Sequence, residues 1–140
     1  MMGKNLASKA KRLGNAEWGG CQAAAEILHD NPSALQSMVV YQLTLTNGKR
    51  YIGSTRRPLV ARLAEHLSVS INPHRNGNHK SLIYPALRKH GWSGMQVEVL
   101  ANHTTAKELF AAEGYFIAIA EPEYNIRIPA GVPGANSRYN

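Results

Sequence analysis

Met38–Gly53 reads MVVYQLTLTNGKRYIG, and this stretch decides the fold. Met38–Thr46 is rich in β-branched and apolar side chains, which suit a half-buried pleated surface. Asn47-Gly48 follows, and Lys49–Gly53 makes a second extended run. Asn-Gly between two such runs is a strong hairpin signal. The loop length then decides what the hairpin is for. A two-residue turn sets Tyr51 opposite Thr44 and puts Tyr41 and Tyr51 on opposite faces. A three-residue loop, Thr46-Asn47-Gly48 with Gly48 left-handed, sets Tyr51 opposite Leu43 and Tyr41 opposite Gly53, so both tyrosines share one face. A shared face makes a site; opposite faces make packing.

After the hairpin, Pro58 stands where a helix begins, because the N–H it lacks would be unpaired there anyway. Leu59, Leu63 and Leu67 recur at helical spacing and give that helix an apolar stripe. A polar loop over about 68–78 leads to a short helix, Ser81–His90, which tolerates Pro85 only in its first turn and is capped by Gly91. Met95–Leu100 alternates apolar and polar residues as a third strand. A last helix starts at Thr104-Thr105, where Thr105 and Glu108 have capping-box spacing, and runs to about Ala120 before Pro122 stops it. Upstream, residues 1–15 are basic and without periodicity, and are expected to be flexible. Residues 16–29 read as a helix weakened by Gly19 and Gly20 and broken at Asn31-Pro32. The expectation is an α/β (α+β) fold: a small three-stranded antiparallel sheet flanked by helices, with an N-terminal helical extension. The chain divides as a basic extension (1–37, with one short helix), a main domain (38–127) and a tail (128–140).

The 140 residues fit one domain, and 44% apolar composition fits a packed core. A single cysteine, Cys21, rules out an intrachain disulfide and a cysteine metal cluster. Neither a signal-peptide h-region nor a membrane-length apolar run is visible, so the reading is of a cytoplasmic protein. The net charge of +7 is unevenly spread. Residues 39–91 hold nine Lys and Arg against one acid, Glu65, whereas 92–140 hold three against five. Such concentration marks a polyanion-binding face, with nucleic acid the leading partner.

Among single residues, Glu113 falls on the apolar stripe of the last helix, between Leu109 and Ile117. A carboxylate there is costly unless paired or bound to a metal. The residues alone leave both readings open, an ion pair with one of the arginines or a ligand of a hard cation. Arg62 and His66, four apart, share one helix face beside the leucine stripe. They suit phosphate binding and proton transfer, or simply a solvated surface shared with Arg57 and Glu65.

Together these residues resemble the GIY-YIG nuclease family. Val39-Val40-Tyr41 stands where the family has Gly-Ile-Tyr, and Tyr51-Ile52-Gly53 matches its Tyr-Ile-Gly. Arg62 falls at the family's catalytic arginine and His66 at the histidine one turn on. Glu113 takes the place of the metal-binding glutamate, and Tyr124-Asn125-Ile126 that of the closing asparagine motif. The resemblance covers about 38–127, and it favours the three-residue hairpin loop.

It implies hydrolysis of a DNA phosphodiester, most naturally in double-stranded DNA, with one Mg²⁺ or Mn²⁺ per active site held by Glu113. Tyr41, Tyr51, Arg62, His66 and Glu113 are then the catalytic set, with Gly53, His79 and Asn125 supporting it. Tyr41 is the preferred general base, a role that calls for nearby cations to lower its pKa. Arg50, Arg56, Arg57, Lys80, Arg88 and Lys89 are the expected DNA-binding residues. Homing, restriction and repair enzymes all occur in the family, and the residues do not choose among them. Specificity would come from the core, from residues 1–37 or from a partner, and double-strand cutting from a homodimer or two successive nicks. The alternative is an inactive DNA- or RNA-binding module using the basic 39–91 face.

Overall fold

The structure, a computed structural model, describes residues 2–14, 16–72 and 81–125. Among the described residues eight elements follow one another: α1 (Met2–Leu13), α2 (Trp18–Ile27), β1 (Val39–Thr44), β2 (Arg50–Thr55), α3 (Leu59–Ile71), α4 (Ile83–His90), β3 (Gln96–Asn102) and α5 (Ala106–Ala120). The strands form one antiparallel sheet in the order β2-β1-β3. Leu45 N–H donates to Lys49 O and Gly48 N–H donates to Leu45 O, which leaves Thr46-Asn47-Gly48 as a three-residue loop. Gly48 adopts a φ of 82°, open to glycine at little cost. Tyr41 therefore pairs with Gly53 and Leu43 with Tyr51, and both tyrosines point to one face.

That face is covered by α1–α4. Val39, Tyr41, Leu43 and Tyr51 pack there with Leu59, Leu63 and Leu67 of α3 and with Ile83 and Leu87 of α4. The opposite face, with Val40 and Ile52, packs against Leu109, Phe116 and Ile117 of α5. The α5 cap follows its sequence signature, since Thr105 Oγ1 accepts from Glu108 N–H at 3.2 Å. Pro85 is the third residue of α4, where a missing N–H leaves no helical bond unmade. No described helix is long and apolar enough to cross a membrane.

Two expectations need correction. The N-terminal residues are not a flexible arm with one short helix behind it, because α1 buries Leu6, Ala7 and Ala10 in the main core beside α2 and α3. Their i, i+1, i+4 spacing is a helical stripe, too short and too alanine-rich to stand out against the lysines. Leu28 packs with them, while Trp18 stays 45% exposed. Gly20 does not merely weaken α2: a Cβ there would lie 2.1 Å from Ser68 Oγ, so the glycine lets α2 press against α3. The second correction concerns the loop expected from Ser68, since α3 continues to Ile71 and buries Ser68, Val69 and Ser70.

Candidate active site

Tyr41, from the central strand, is 1% exposed, and its Oη lies 2.6 Å from His66 Nε2. His66 is not on a solvated face; it is also 1% exposed, and its Nδ1 lies 3.2 Å from Tyr84 Oη. The Tyr51 ring meets His66 edge-on with centroids 5.6 Å apart and lies 6.5 Å from the Tyr41 ring. Three tyrosines thus surround one imidazole. Gly53 makes this possible, since a Cβ there would come within 2.7 Å of Tyr41 Oη and 2.9 Å of the Tyr51 ring.

Arg62 lies one turn before His66 with only 14% of its side chain exposed. Its Nη1 is bonded to Glu65 Oε1, which also accepts from Arg57 Nη2 at 2.9 Å. Glu65 is therefore the hub of an arginine pair rather than an ordinary surface charge. Burial works against the charge on Arg62, yet Tyr41, Tyr51, Tyr84 and Glu65 around it push its pKa up, so it stays cationic. The phenol of Tyr41 departs from the expected lowering. Burial pushes its pKa well above that of a free phenol; Arg62 pulls the other way but less strongly, and Tyr51, Glu113 and Tyr84 add to the rise.

Glu113 reaches the site from the other side of the sheet. It is 4% exposed on α5, and its Oε1 accepts from Ser54 Oγ at 2.9 Å. Asn125 closes the outer edge of β2: its Oδ1 accepts from Ile52 N–H at 2.8 Å and its Nδ2 donates to Ile52 O at 2.7 Å. Alongside it, Tyr124 N–H donates to Arg50 O at 3.0 Å.

The basic residues separate into two kinds. Arg56, Arg88 and Lys89 are exposed. Arg50 is tied to the end of α5, donating to Ala120 O at 2.8 Å and lying 3.8 Å from Glu123, and Arg57 is held by Glu65. His79, Lys80 and Ile126 lie outside the described residues. An open cleft of about 890 Å³ between α2 and β3 contains none of the site residues, and its rim carries Glu26, Asp30 and Glu98, which repel a polyanion.

As for a metal, Glu113 offers a hard oxygen donor beside Ser54 on the α5 side of β2. Among the described residues no three of His, Cys, Asp or Glu converge. Any ion here would rest on one carboxylate with water and phosphate oxygens completing its shell, an arrangement Mg²⁺ accepts. The donor set fits.

A family model described as the GIY-YIG catalytic domain matches residues 37–125, more than half of the chain. The protein belongs to the GIY-YIG family. Its function is thus nuclease-type, and its substrate a nucleic acid. No curated protein and no solved structure matches the chain.

Sequence reading missed two residues of this candidate site. Tyr84 falls outside the motifs, although a tyrosine beside Ile83 and Leu87 on a core-facing helix implies a buried hydroxyl in need of a partner. Ser54 follows the Tyr-Ile-Gly element and had no signal beyond strand parity.

Proposed function

We propose that this protein is a divalent-metal-dependent DNA endonuclease that hydrolyses phosphodiester bonds. The observation that carries the reading is the 2.6 Å contact between Tyr41 and His66, one turn along α3 from a cationic Arg62 whose side chain is 14% exposed. A phenol with a raised pKa is a poor resting base, so the tyrosine has to pass its own proton on as it takes another. In this reading the imidazole 2.6 Å away receives it. Water gives a proton to Tyr41 Oη while the Tyr41 proton moves to His66 Nε2. The hydroxide then attacks phosphorus, and the leaving 3′ oxygen is protonated by solvent.

Arg62 neutralises charge on the phosphate as a preorganised donor. An incoming phosphate would compete with Glu65 for it, and Arg57 keeps the displaced carboxylate paired. Tyr51 fixes the ring orientations. Glu113 would hold Mg²⁺ or Mn²⁺, which when bound polarises the phosphate and steadies charge on the leaving oxygen. Arg56, Arg88 and Lys89 are the exposed cations for the DNA backbone.

Supercoiled plasmid incubated with the protein and Mg²⁺ or Mn²⁺ tests this, with Glu113→Ala and a chelator as controls. Wild type is expected to nick or linearise the DNA while both controls do not. Transition-state stabilisation by the ion is worth several kcal/mol, so loss of Glu113 should slow cleavage roughly 10³-fold or more. DNA bound but left intact by wild type and Glu113→Ala alike would overturn the reading in favour of a binding module.

A further inference from the structure

Each ring nitrogen of the imidazole at the centre of the site meets a tyrosine hydroxyl, and only one of these contacts is explained by the reaction above. Tyr41 lies 2.6 Å from Nε2; Tyr84, from the first turn of α4, lies 3.2 Å from Nδ1. A neutral imidazole has one N–H and one lone-pair nitrogen, so the two contacts cannot have the same polarity at the ring. Either Tyr41 donates to Nε2 and Nδ1–H donates to Tyr84, or Tyr84 donates to Nδ1 and Nε2–H donates to Tyr41. The distances discriminate. Hydroxyl donors form the shorter bonds and N–H donors the longer, up to about 3.2 Å. The short contact fits O–H donation by Tyr41, and the long one fits N–H donation to Tyr84.

We infer that Tyr84 is a positioning residue: its hydroxyl oxygen holds His66 as the Nδ1–H tautomer, and so keeps the Nε2 lone pair facing the Tyr41 proton. The inference rests on the nuclease reading above and adds a residue to it. With the opposite tautomer, Nε2 already carries a proton and cannot take one from Tyr41. Tyr41 then cannot accept from water without becoming cationic. When the proton does move, His66 becomes an imidazolium with both N–H groups matched, Nε2–H to the Tyr41 oxygen and Nδ1–H to the Tyr84 oxygen. Tyr84 is itself 6% exposed. Burial pushes its phenol pKa up, more than Arg62 pulls it down, with Glu65 adding to the rise, so the hydroxyl remains neutral beside a ring that changes charge. A neutral oxygen there orients the ring without fixing a permanent imidazolium, as a buried carboxylate at the same place would favour. Among the described residues, Tyr41 from β1, Tyr51 from β2 and Tyr84 from α4 stand against His66; Arg62 and Glu65 lie on its own helix, and the charge of Glu113 acts on Tyr41.

The test is ¹⁵N NMR of the histidine side chains in the full chain, with the His66 signals assigned by a His66→Gln variant. Wild type is expected to show a protonated Nδ1 and an unprotonated Nε2 at pH 8. In Tyr84→Phe, which keeps the ring and loses only the hydroxyl, the population shifts toward Nε2–H. Single-turnover cleavage of plasmid slows by roughly 10- to 100-fold, the range seen when an outer partner that orients a metal-bound imidazole is removed, with DNA affinity unchanged. A wild-type Nε2–H tautomer overturns the inference, and that arm does not depend on the Tyr84→Phe variant folding. So does a Tyr84→Phe protein with an unchanged tautomer, or one with a shifted tautomer and an unchanged rate. Because the NMR arm needs neither metal nor DNA, it separates this inference from the nuclease reading. A wild type that never cuts DNA refutes that reading while leaving the tautomer to be judged by its own spectrum.

Discussion

The two faces of the sheet bury polar groups in opposite ways. On the α1–α4 face, Tyr41, His66 and Tyr84 form a hydrogen-bonded chain whose members can both give and accept protons. On the α5 face, Ser54 donates to the carboxylate of Glu113, a group that carries charge when ionised. Such a chain can be buried because each hydroxyl or ring nitrogen meets another. A buried carboxylate gains further from a cation. In the proposed reaction proton movement belongs to the α1–α4 face, where Arg62 also meets the phosphate, and the carboxylate for an ion to the α5 face. The faces meet at β2, where Gly53 and Ser54 are neighbours in the chain and point to opposite sides. The carboxylate is close enough for its charge to raise the Tyr41 pKa.

Tyr41→Phe should break the tyrosine face alone. Loss of the general base is expected to slow cleavage by about 10²–10⁴-fold, while DNA affinity and the response to Mg²⁺ concentration stay near wild type. A variant that cuts at the wild-type rate removes Tyr41 from the chemistry. The same substitution has a signature in stability. Burial holds the Tyr41 proton in the folded protein at pH values where the unfolded chain, with a phenol pKa of about 10, has lost it. The folded state therefore binds more protons, and stability falls as pH rises. This contribution is complete below about pH 10 and is lost progressively above it, on the way to the folded value. Melting temperatures between pH 8 and 11 should decline more steeply in wild type than in Tyr41→Phe. Equal slopes would mean that Tyr41 is hydrated, not buried.

Gly53→Ala sharpens the comparison from the strand where the faces join. The new methyl group would lie 2.7 Å from Tyr41 Oη and 2.9 Å from the Tyr51 ring, well inside contact distance. Overpacking of this kind costs about 1–3 kcal/mol, measurable as a lower denaturant midpoint. The tyrosine face should give way while the Ser54–Glu113 pair on the other side persists. Cleavage should therefore fall more than metal affinity does. Equal losses in both would show that the strand moves as one body.

Much of this arrangement is legible in the sequence. Asn47-Gly48, the leucine stripe of α3 and the Thr105–Glu108 cap are local signals, and each is found as read. Tyrosine parity was legible too, once the loop length was settled. What could not be read was the consequence of burial. Spacing put Arg62 and His66 beside the leucine stripe, but only α4 and the sheet, packed over that flank, turn His66 from a surface residue into a buried one. For the same reason nearby cations were expected to lower the Tyr41 pKa, whereas desolvation outweighs Arg62. Charge density along the chain likewise did not separate Arg50, engaged at the end of α5, from the exposed Arg56. One-dimensional charge counts contain no information about which guanidinium already has a carbonyl to bind.

The smallest effect belongs to the closure of β2. Asn125 offers its amide as a strand would offer a peptide, giving N–H to Ile52 O and taking N–H from Ile52. Both bonds lie at a partly solvated edge, where water replaces lost partners, so Asn125→Ala should cost only about 1 kcal/mol. Asn125→Asp is the more informative change, because its shape is almost the same. The carboxylate still accepts from Ile52 N–H but sets a negative oxygen against Ile52 O, where the amide donated. At neutral pH Asp should therefore be no better than Ala. It should recover toward wild type as the pH falls below the carboxylate range near 4, when a protonated oxygen can donate again. Melting curves of the three proteins at pH 4 and pH 7 decide the point. If Asp matches Asn at pH 7, the donor bond contributes nothing and the edge is held by the acceptor alone. Either way the two faces should be affected together, since the edge of β2 supports both Gly53 and Ser54.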